Sequence, residues 1–179
     1  DELTGVNTIE KFKLDANQNI CIHKDKKFAV FYIDFENFKY INDIFGYDYG
    51  DMILKRYANL MMNDIGKYEI FAREIADRFV ALRCYVDKED LVVRQRDVDN
   101  ELINITNEIK NKHSITVVSG ICCIEDVNEK LSIDGLINRA NFAQKTVKNK
   151  PGTNYAFYND SIRKKMIEEN TIKSRIHEA

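Results

Sequence analysis

Proline and glycine are scarce, with one proline and seven glycines in 179 residues. Collagen-like repeats and low-complexity linkers are therefore excluded, and 44% apolar with 31% charged residues excludes a wholly disordered chain. Positive charge is not in excess. The 27 Lys and Arg face 29 Asp and Glu, a net charge of -2, so no global positive field holds DNA or RNA by its backbone and no nucleic-acid partner is expected. Lys24, Lys26 and Lys27 form a short solvated turn before a strand, without the interleaved aromatics of a nucleic-acid footprint. No apolar run approaches the roughly 18 residues of a membrane span, and direct membrane contact by this stretch is not expected. The three histidines, His23, His113 and His177, are too scattered to be assigned as ligands. The four cysteines, Cys21, Cys84, Cys122 and Cys123, have no C-x-x-C spacing, which argues against zinc and for free thiols in a reducing cytosol. The chain opens on Asp1 without an initiator Met and is read as a piece of a longer protein.

What is present is one domain's worth of alternating apolar patterns, enough for a single buried core. Phe28 to Ile33 is apolar throughout and suits a central strand. Phe35, Phe38, Ile41 and Phe45 follow at helical spacing, and Gly46 stops that helix with Gly50 in the turn beyond. A second helix is expected from about Asp51, at its cap, to Asp64. Tyr68–Arg73 and Phe79–Val86 read as a hairpin with its bend at 74–78. A third helix is expected over Val98–Lys110, with Leu102, Ile105 and Ile109 as its stripe, then a strand over Ile115–Ile124. A helix over Leu136–Val147 begins near Ser132, and Tyr155–Tyr158 forms a short closing strand. A charged, weakly amphipathic helix covers Ser161–His177. The simplest layered solution is an α/β domain with a mostly antiparallel sheet covered by helices on one side. Residues 1–159 are assigned to the domain and 160–179 to a C-terminal helix leading to a following domain.

The chemistry-bearing stretch runs from Ile33 to Asp43, continued by Gly50 and Asp51. Asp34 and Glu36 leave the end of the apolar strand on one side. Paired carboxylates at such an edge hold a divalent ion beside a phosphate, or are simply solvated caps. The hairpin bend brings Asp77 toward them, and Asn42 with Asp51 offers an amide and a carboxylate to a base edge.

At these residues the sequence resembles the GGDEF (diguanylate cyclase) domain family. Asp1-x-Leu3-Thr4-Gly5 resembles its D-x-L-T-G opening. Asp34-x-Glu36-x-Phe38-Lys39-x-x-Asn42-Asp43, with Gly46 and Gly50-Asp51, resembles its D-x-D-x-F-K-x-x-N-D-x-x-G-H-x-x-G-D segment. Val118-Ser119-Gly120-Ile121 resembles a later S-x-G strand with one residue missing, and Arg139-Ala140-Asn141 resembles R-A-D. The resemblance implies a palm-related, nucleotide-cyclase-like fold with a ferredoxin-like core, in which two GTP molecules are joined into cyclic diguanylate with Mg or Mn. It implies Asp34, the Phe35 carbonyl and Asp77 as metal ligands, and Asn42, Asp51, Lys39 and Lys148 as nucleotide-binding residues.

The departures are concentrated in the signature. Ile75-Ala76-Asp77-Arg78-Phe79 stands where the family has G-G-D/E-E-F. Both glycines that let main chain approach a nucleotide are lost, and Arg78 puts a cation where an acid is usual, so no functional catalytic set is expected there. Arg78 is expected to pair with Asp34 and Asp77 in place of a metal. The segment from Asn149 to Asn154 is one residue longer than usual, with Thr153 where an arginine is expected, and Tyr47 replaces a histidine. Gly66 and Glu69 occupy the ends of the family's product-inhibitory R-x-x-D, without its arginine. The reading is thus a catalytically degenerate GGDEF domain, regulatory or GTP-sensing, in bacterial cyclic diguanylate signalling. The linked partners implied are an EAL-type phosphodiesterase domain, an upstream sensor domain and a second copy in a homodimer. The compartment is the cytoplasm, either free or as the cytoplasmic part of a membrane-bound sensor. The alternatives are a purely structural dimerisation module and a weakly active diguanylate cyclase.

Overall fold

The computed structural model describes residues 1–109 and 115–177. Lys110 and His113, and the side chains of Ile176 and His177, lie outside the described residues. The order is β1 (Asn7–Thr8), α1 (Ile9–Ile22), β2 (Lys27–Phe35), α2 (Phe38–Phe45), α3 (Tyr47–Asp64), β3 (Ile70–Ile75), β4 (Arg78–Tyr85), α4 (Lys88–Ile109), β5 (Val117–Cys123), α5 (Ile133–Val147), β6 (Tyr155–Phe157) and α6 (Asp160–His177). The six strands form one sheet in the order β1-β3-β4-β2-β5-β6. The β2–β4, β2–β5 and β3–β4 pairs are antiparallel, whereas the edge strands β1 and β6 pair in parallel.

Helices cover both faces, not one. Along β2, Ala29, Phe31, Ile33 and Phe35 enter a core with Tyr57, Met61, Phe79, Leu91 and Leu102, on the side of α2, α3 and α4. Phe28, Val30 and Tyr32 alternate into a second core with Phe12 and Ala16 of α1 and Leu136, Ile137 and Ala140 of α5. A strand buried on both faces has no polar side to alternate with, which is why β2 reads as a continuous apolar run.

Several boundaries differ from the sequence expectation. Helix α1 was not expected: Thr8 caps it, its side chain accepting from Lys11 N, but its buried residues are only Phe12 and Ala16. Helix α4 begins ten residues before the expected Val98, and its buried face is Leu91, Val92, Gln95, Val98, Leu102 and Thr106, with Ile109 exposed. Gly46, at φ 86°, breaks the chain between α2 and α3 in a single residue. Helix α3 then restarts at Tyr47, so Asp51 lies inside it rather than at its cap, and Gly50 is a buried helical residue. A Cβ on Gly50 would stand 1.9 Å from Asn42 Oδ1, so the missing side chain lets α2 and α3 close on each other.

The same device sets α5 against the sheet. At Gly120 a Cβ would lie 1.9 Å from the Ala140 carbonyl oxygen and 2.4 Å from Gln144 N. The bare glycine in β5 therefore lets α5 rest backbone to backbone on the strand beside β2.

Candidate active-site cleft and its internal ion pairs

That close approach brings the end of α5 to the end of β2. Gln144 and Lys148 are four residues apart, on one helical face. Gln144 Nε2 donates to Asp34 Oδ2 at 3.4 Å, and Lys148 Nζ donates to the same oxygen in a short ion pair. Glu36 is engaged by the next residue, its Oε1 accepting from Asn149 N at 2.6 Å. Asn149 adopts φ 59°, turning the chain out of the helix over the two acids. Both carboxylates expected to face a metal thus hold consecutive residues of the α5–β6 connection.

Asp77 sits in the two-residue bend between the paired residues Ile75 and Arg78. Burial, and then the neighbouring Asp34 charge, push its carboxyl above the usual range, with Lys148 opposing. Ala76, the other bend residue, is held at φ 53°, a left-handed conformation where the family's glycine is at ease. Its carbonyl accepts from Arg73 Nε at 2.8 Å. Phe79 is fully buried and stacks on Phe71 at 5.2 Å, so the signature aromatic serves the core. Ile75 is exposed on the hairpin.

Arg78 does not take the position expected of it. Its Nη1 donates to the Tyr32 hydroxyl at 3.5 Å, and its Nε lies 3.9 Å from Glu74. Tyr32 itself donates to Glu74 at 2.6 Å. This nearer acceptor pair draws the guanidinium away, and Lys148 takes Asp34 instead.

Asp34, Asp77, Phe35, Lys39, Arg78, Lys145 and Lys148 line one cleft of about 490 Å³. Its lining includes neither Asn42 nor Asp51, which stand at the α2–α3 junction. Asn42 Oδ1 is buried there against Gly50 without a hydrogen-bond partner. Asp51 raises the tendency of Arg73 to stay charged, against the stronger effect of that residue's burial. The ring of Phe35 packs on Phe38 and Tyr57 in the core.

These residues do not fit a pair of divalent ions as arranged. Asp34 and Glu36 are already satisfied, burial and the Asp34 charge both work against a charged Asp77, and a lysine ammonium occupies the approach. Among the described residues no three His, Cys, Asp or Glu side chains are grouped to hold a metal.

A second ionic cluster, which sequence reasoning missed, lies where the inhibitory motif would be. Glu69 accepts from both Arg94 terminal nitrogens at 2.8 Å, from Gly66 N at 2.8 Å and from Cys84 N at 2.9 Å. Burial alone would raise its carboxyl, but Arg94 and these N–H groups hold it below the usual range. Asp64 binds Arg94 and Arg83, and Arg83 is completely buried over the Phe31 ring. The signal available was an arginine inside the apolar strand Phe79–Tyr85.

The family model for "Diguanylate cyclase, GGDEF domain" matches residues 1–154. The chain is 26% identical over 163 residues to the uncharacterized protein YtrP of Bacillus subtilis strain 168, covering 91% of this chain and 27% of that protein. It is 31% identical over 99 residues to the cyclic di-GMP phosphodiesterase NbdA of Pseudomonas aeruginosa, covering 54% of this chain and 13% of NbdA. Among solved structures, the GGDEF domain of DgcB from Caulobacter crescentus in complex with c-di-GMP superposes with a TM-score of 0.74 at 18% identity, covering 88% of this chain and 94% of that one. The chain thus spans about a quarter or less of the length of these two relatives, and the fold is that of the GGDEF, nucleotide-cyclase-like group.

Proposed function

The chain belongs to the GGDEF diguanylate cyclase domain family, and from that premise we propose that it is a catalytically silent, regulatory member which senses a guanine nucleotide for a linked domain. Membership places it in cyclic diguanylate signalling. The observation that carries the silent reading is the double engagement of Asp34 by Lys148 and of Glu36 by Asn149 N. Acids spent on the chain's own loop are not available to balance metal ions.

The charge of the cleft supports an anionic ligand. Lys39, Arg78, Lys145 and Lys148 face Asp34 and Asp77 in its lining, four cations against two acids. Such a surface attracts a polyphosphate and repels a bare divalent cation. A phosphate would compete with Asp34 for the Lys148 ammonium and so loosen the α5–β6 connection, a differential interaction of the kind a regulatory ligand needs. The unpartnered Asn42 amide oxygen is an acceptor for a base N–H once its side chain turns outward. Helix α6, exposed along most of its described length, leads away from the domain. It is the natural connection to a following EAL-type domain, as the phosphodiesterase relative suggests. The cytoplasm is the compartment this proposal requires. No helix among the described residues is long and apolar enough to cross a membrane.

The test pairs two measurements on the domain. Incubation with GTP and magnesium or manganese should yield no cyclic diguanylate above a protein-free control, whereas product that disappears in Asp34→Ala would overturn the silent reading. Calorimetric titration with GTP in the absence of metal should show binding that weakens about tenfold or more in Lys148→Met. Absence of any nucleotide binding would leave the structural dimerisation role standing instead.

A further inference from the structure

On the opposite face of the sheet from Asp34, helix α4 and the β5–β6 edge enclose a second cavity of about 470 Å³. Its apolar lining is Val92 and Ile103 of α4 and Val117 and Ile121 of β5. Asp99 is the one acid in a lining that also carries Gln95, Arg96 and Asn154. The carboxylate is fixed from behind: Gln95, only 3% exposed, donates from Nε2 to Asp99 Oδ1 at 2.9 Å and to the Tyr57 hydroxyl at 2.9 Å. Gln95 Oε1 in turn accepts from Arg83 at 3.3 Å. With its amide held at both ends, Gln95 cannot flip, so Asp99 presents an acceptor in one orientation. Ser119 lies between Val117 and Ile121 on the same side of β5, buried, with its hydroxyl unpartnered.

We infer that this cavity is a second small-molecule site, shaped for a planar aminoheterocycle whose adjacent N–H groups meet the Asp99 carboxylate. A metal is the wrong occupant, since Asp99 is the single acid in the lining. A purely apolar ring would supply no donor beyond those of Gln95 and Tyr57, leaving acceptor capacity of the carboxylate unused in a buried place, which is costly. An N–C–N edge with two parallel N–H groups matches a carboxylate bidentately, as a guanidinium does. Around Asp99, the charged or titratable groups are Tyr57 from α3, Arg83 from β4 and Arg96 of its own helix in the cavity lining. Burial raises the carboxyl to about 7, while Gln95, Arg83 and Tyr57 work against that rise. A donor-bearing ligand would complete the ion's neutralisation.

The site is independent of the cleft reading, because its lining shares no residue with the Asp34 cleft. The experiment titrates 2-aminobenzimidazole into the methyl-labelled domain and follows the Val117 and Ile121 methyl resonances. Saturable shifts are expected for the native chain and for Lys148→Met alike. Asp99→Asn should weaken binding about tenfold or more, and Ile103→Trp, which fills the cavity, should abolish it. No saturable shift in the native domain, or shifts that survive both substitutions, would overturn the inference. If Asp99→Asn fails to fold, Ile103→Trp with an intact melting transition decides the question alone.

Discussion

The cleft at the end of β2 and the cluster around Arg83 solve the same problem with opposite exposure. In both, an acid at a position that the family resemblance links to a ligand, Asp34 in one and Glu69 in the other, is held by the chain's own cations. At the cleft, Asp34 pairs with a lysine whose side chain is 33% exposed, so a dissolved anion can compete for it. At the cluster, Asp64 is 24% exposed but its arginine partner is 0% exposed, so no dissolved anion reaches that guanidinium without opening the core. The first arrangement is a candidate switch and the second a structural anchor. A buried ion pair left half-made is costly, whereas a wet one is worth little.

Breaking the anchor should give the largest effect. Asp64→Ala leaves Arg83 buried beside an already unpartnered Nε and should cost about 3–5 kcal/mol in a denaturant titration. Lys148→Met, which removes a 33% exposed cation from an acid that is 9% exposed and still held by Gln144, should cost less, about 1–2 kcal/mol. Equal losses would mean that the two pairs are not different in kind.

Gly120→Ala comes next. The added methyl meets α5 backbone, which cannot swing aside, so a loss of about 1–3 kcal/mol is expected. Because the displaced helix carries Gln144 and Lys148, the same substitution should also weaken nucleotide binding. A neutral Gly120→Ala would contradict the close helix–strand contact that builds the cleft.

Asp99 sharpens the comparison through pH. Its folded carboxyl titrates at about 7, above the unfolded value of about 3.9. Between those values the native state keeps a proton that the unfolded chain has lost, so stability falls as pH rises and the full penalty is present above 7. Asp99→Asn should therefore gain on the native chain by about 1 kcal/mol or more from pH 5 to pH 8. Glu69 works the other way: its lowered carboxyl stabilises the fold above the unfolded value and that contribution disappears on acidification. Thermal melts over this range for Asp99, extended below about pH 4 for Glu69, should separate the two, and a pH-independent difference for Asp99→Asn would refute the buried-acid account.

The smallest effect is at the hairpin. Ala76→Gly relieves a left-handed alanine at φ 53° and should stabilise by about 1 kcal/mol or less, after the greater unfolded-state freedom of glycine is counted. A loss of stability would show that the bend is unstrained.

These regions also differ in how far the sequence exposed them. The central strand was plain because β2 is apolar on both faces, and the hairpin followed from its two flanking strands, although the bend expected over 74–78 tightens to Ala76 and Asp77. Helix α1 was not legible, since Phe12 and Ala16 alone carry its buried face while Leu14 and Ile22 stay exposed. The first half of α4 was hidden by Gln95, a polar residue serving the core. At the site, residue identity showed Asp34, Glu36, Asp77 and the altered signature, but not their partners. The Lys148 contact spans 114 residues of chain and depends on Gly120 letting α5 close. No local pattern encodes it, and for that reason Arg78 seemed the nearer cation.

The most direct test of the central claim, that a lysine ammonium stands where a metal would otherwise be held, is a manganese titration followed by electron paramagnetic resonance on the native domain and on Lys148→Met. The native chain should show no saturable site, and Lys148→Met should gain manganese affinity by about tenfold or more as Asp34 is freed. Two saturable manganese sites in the native domain, unchanged by the substitution, would contradict it.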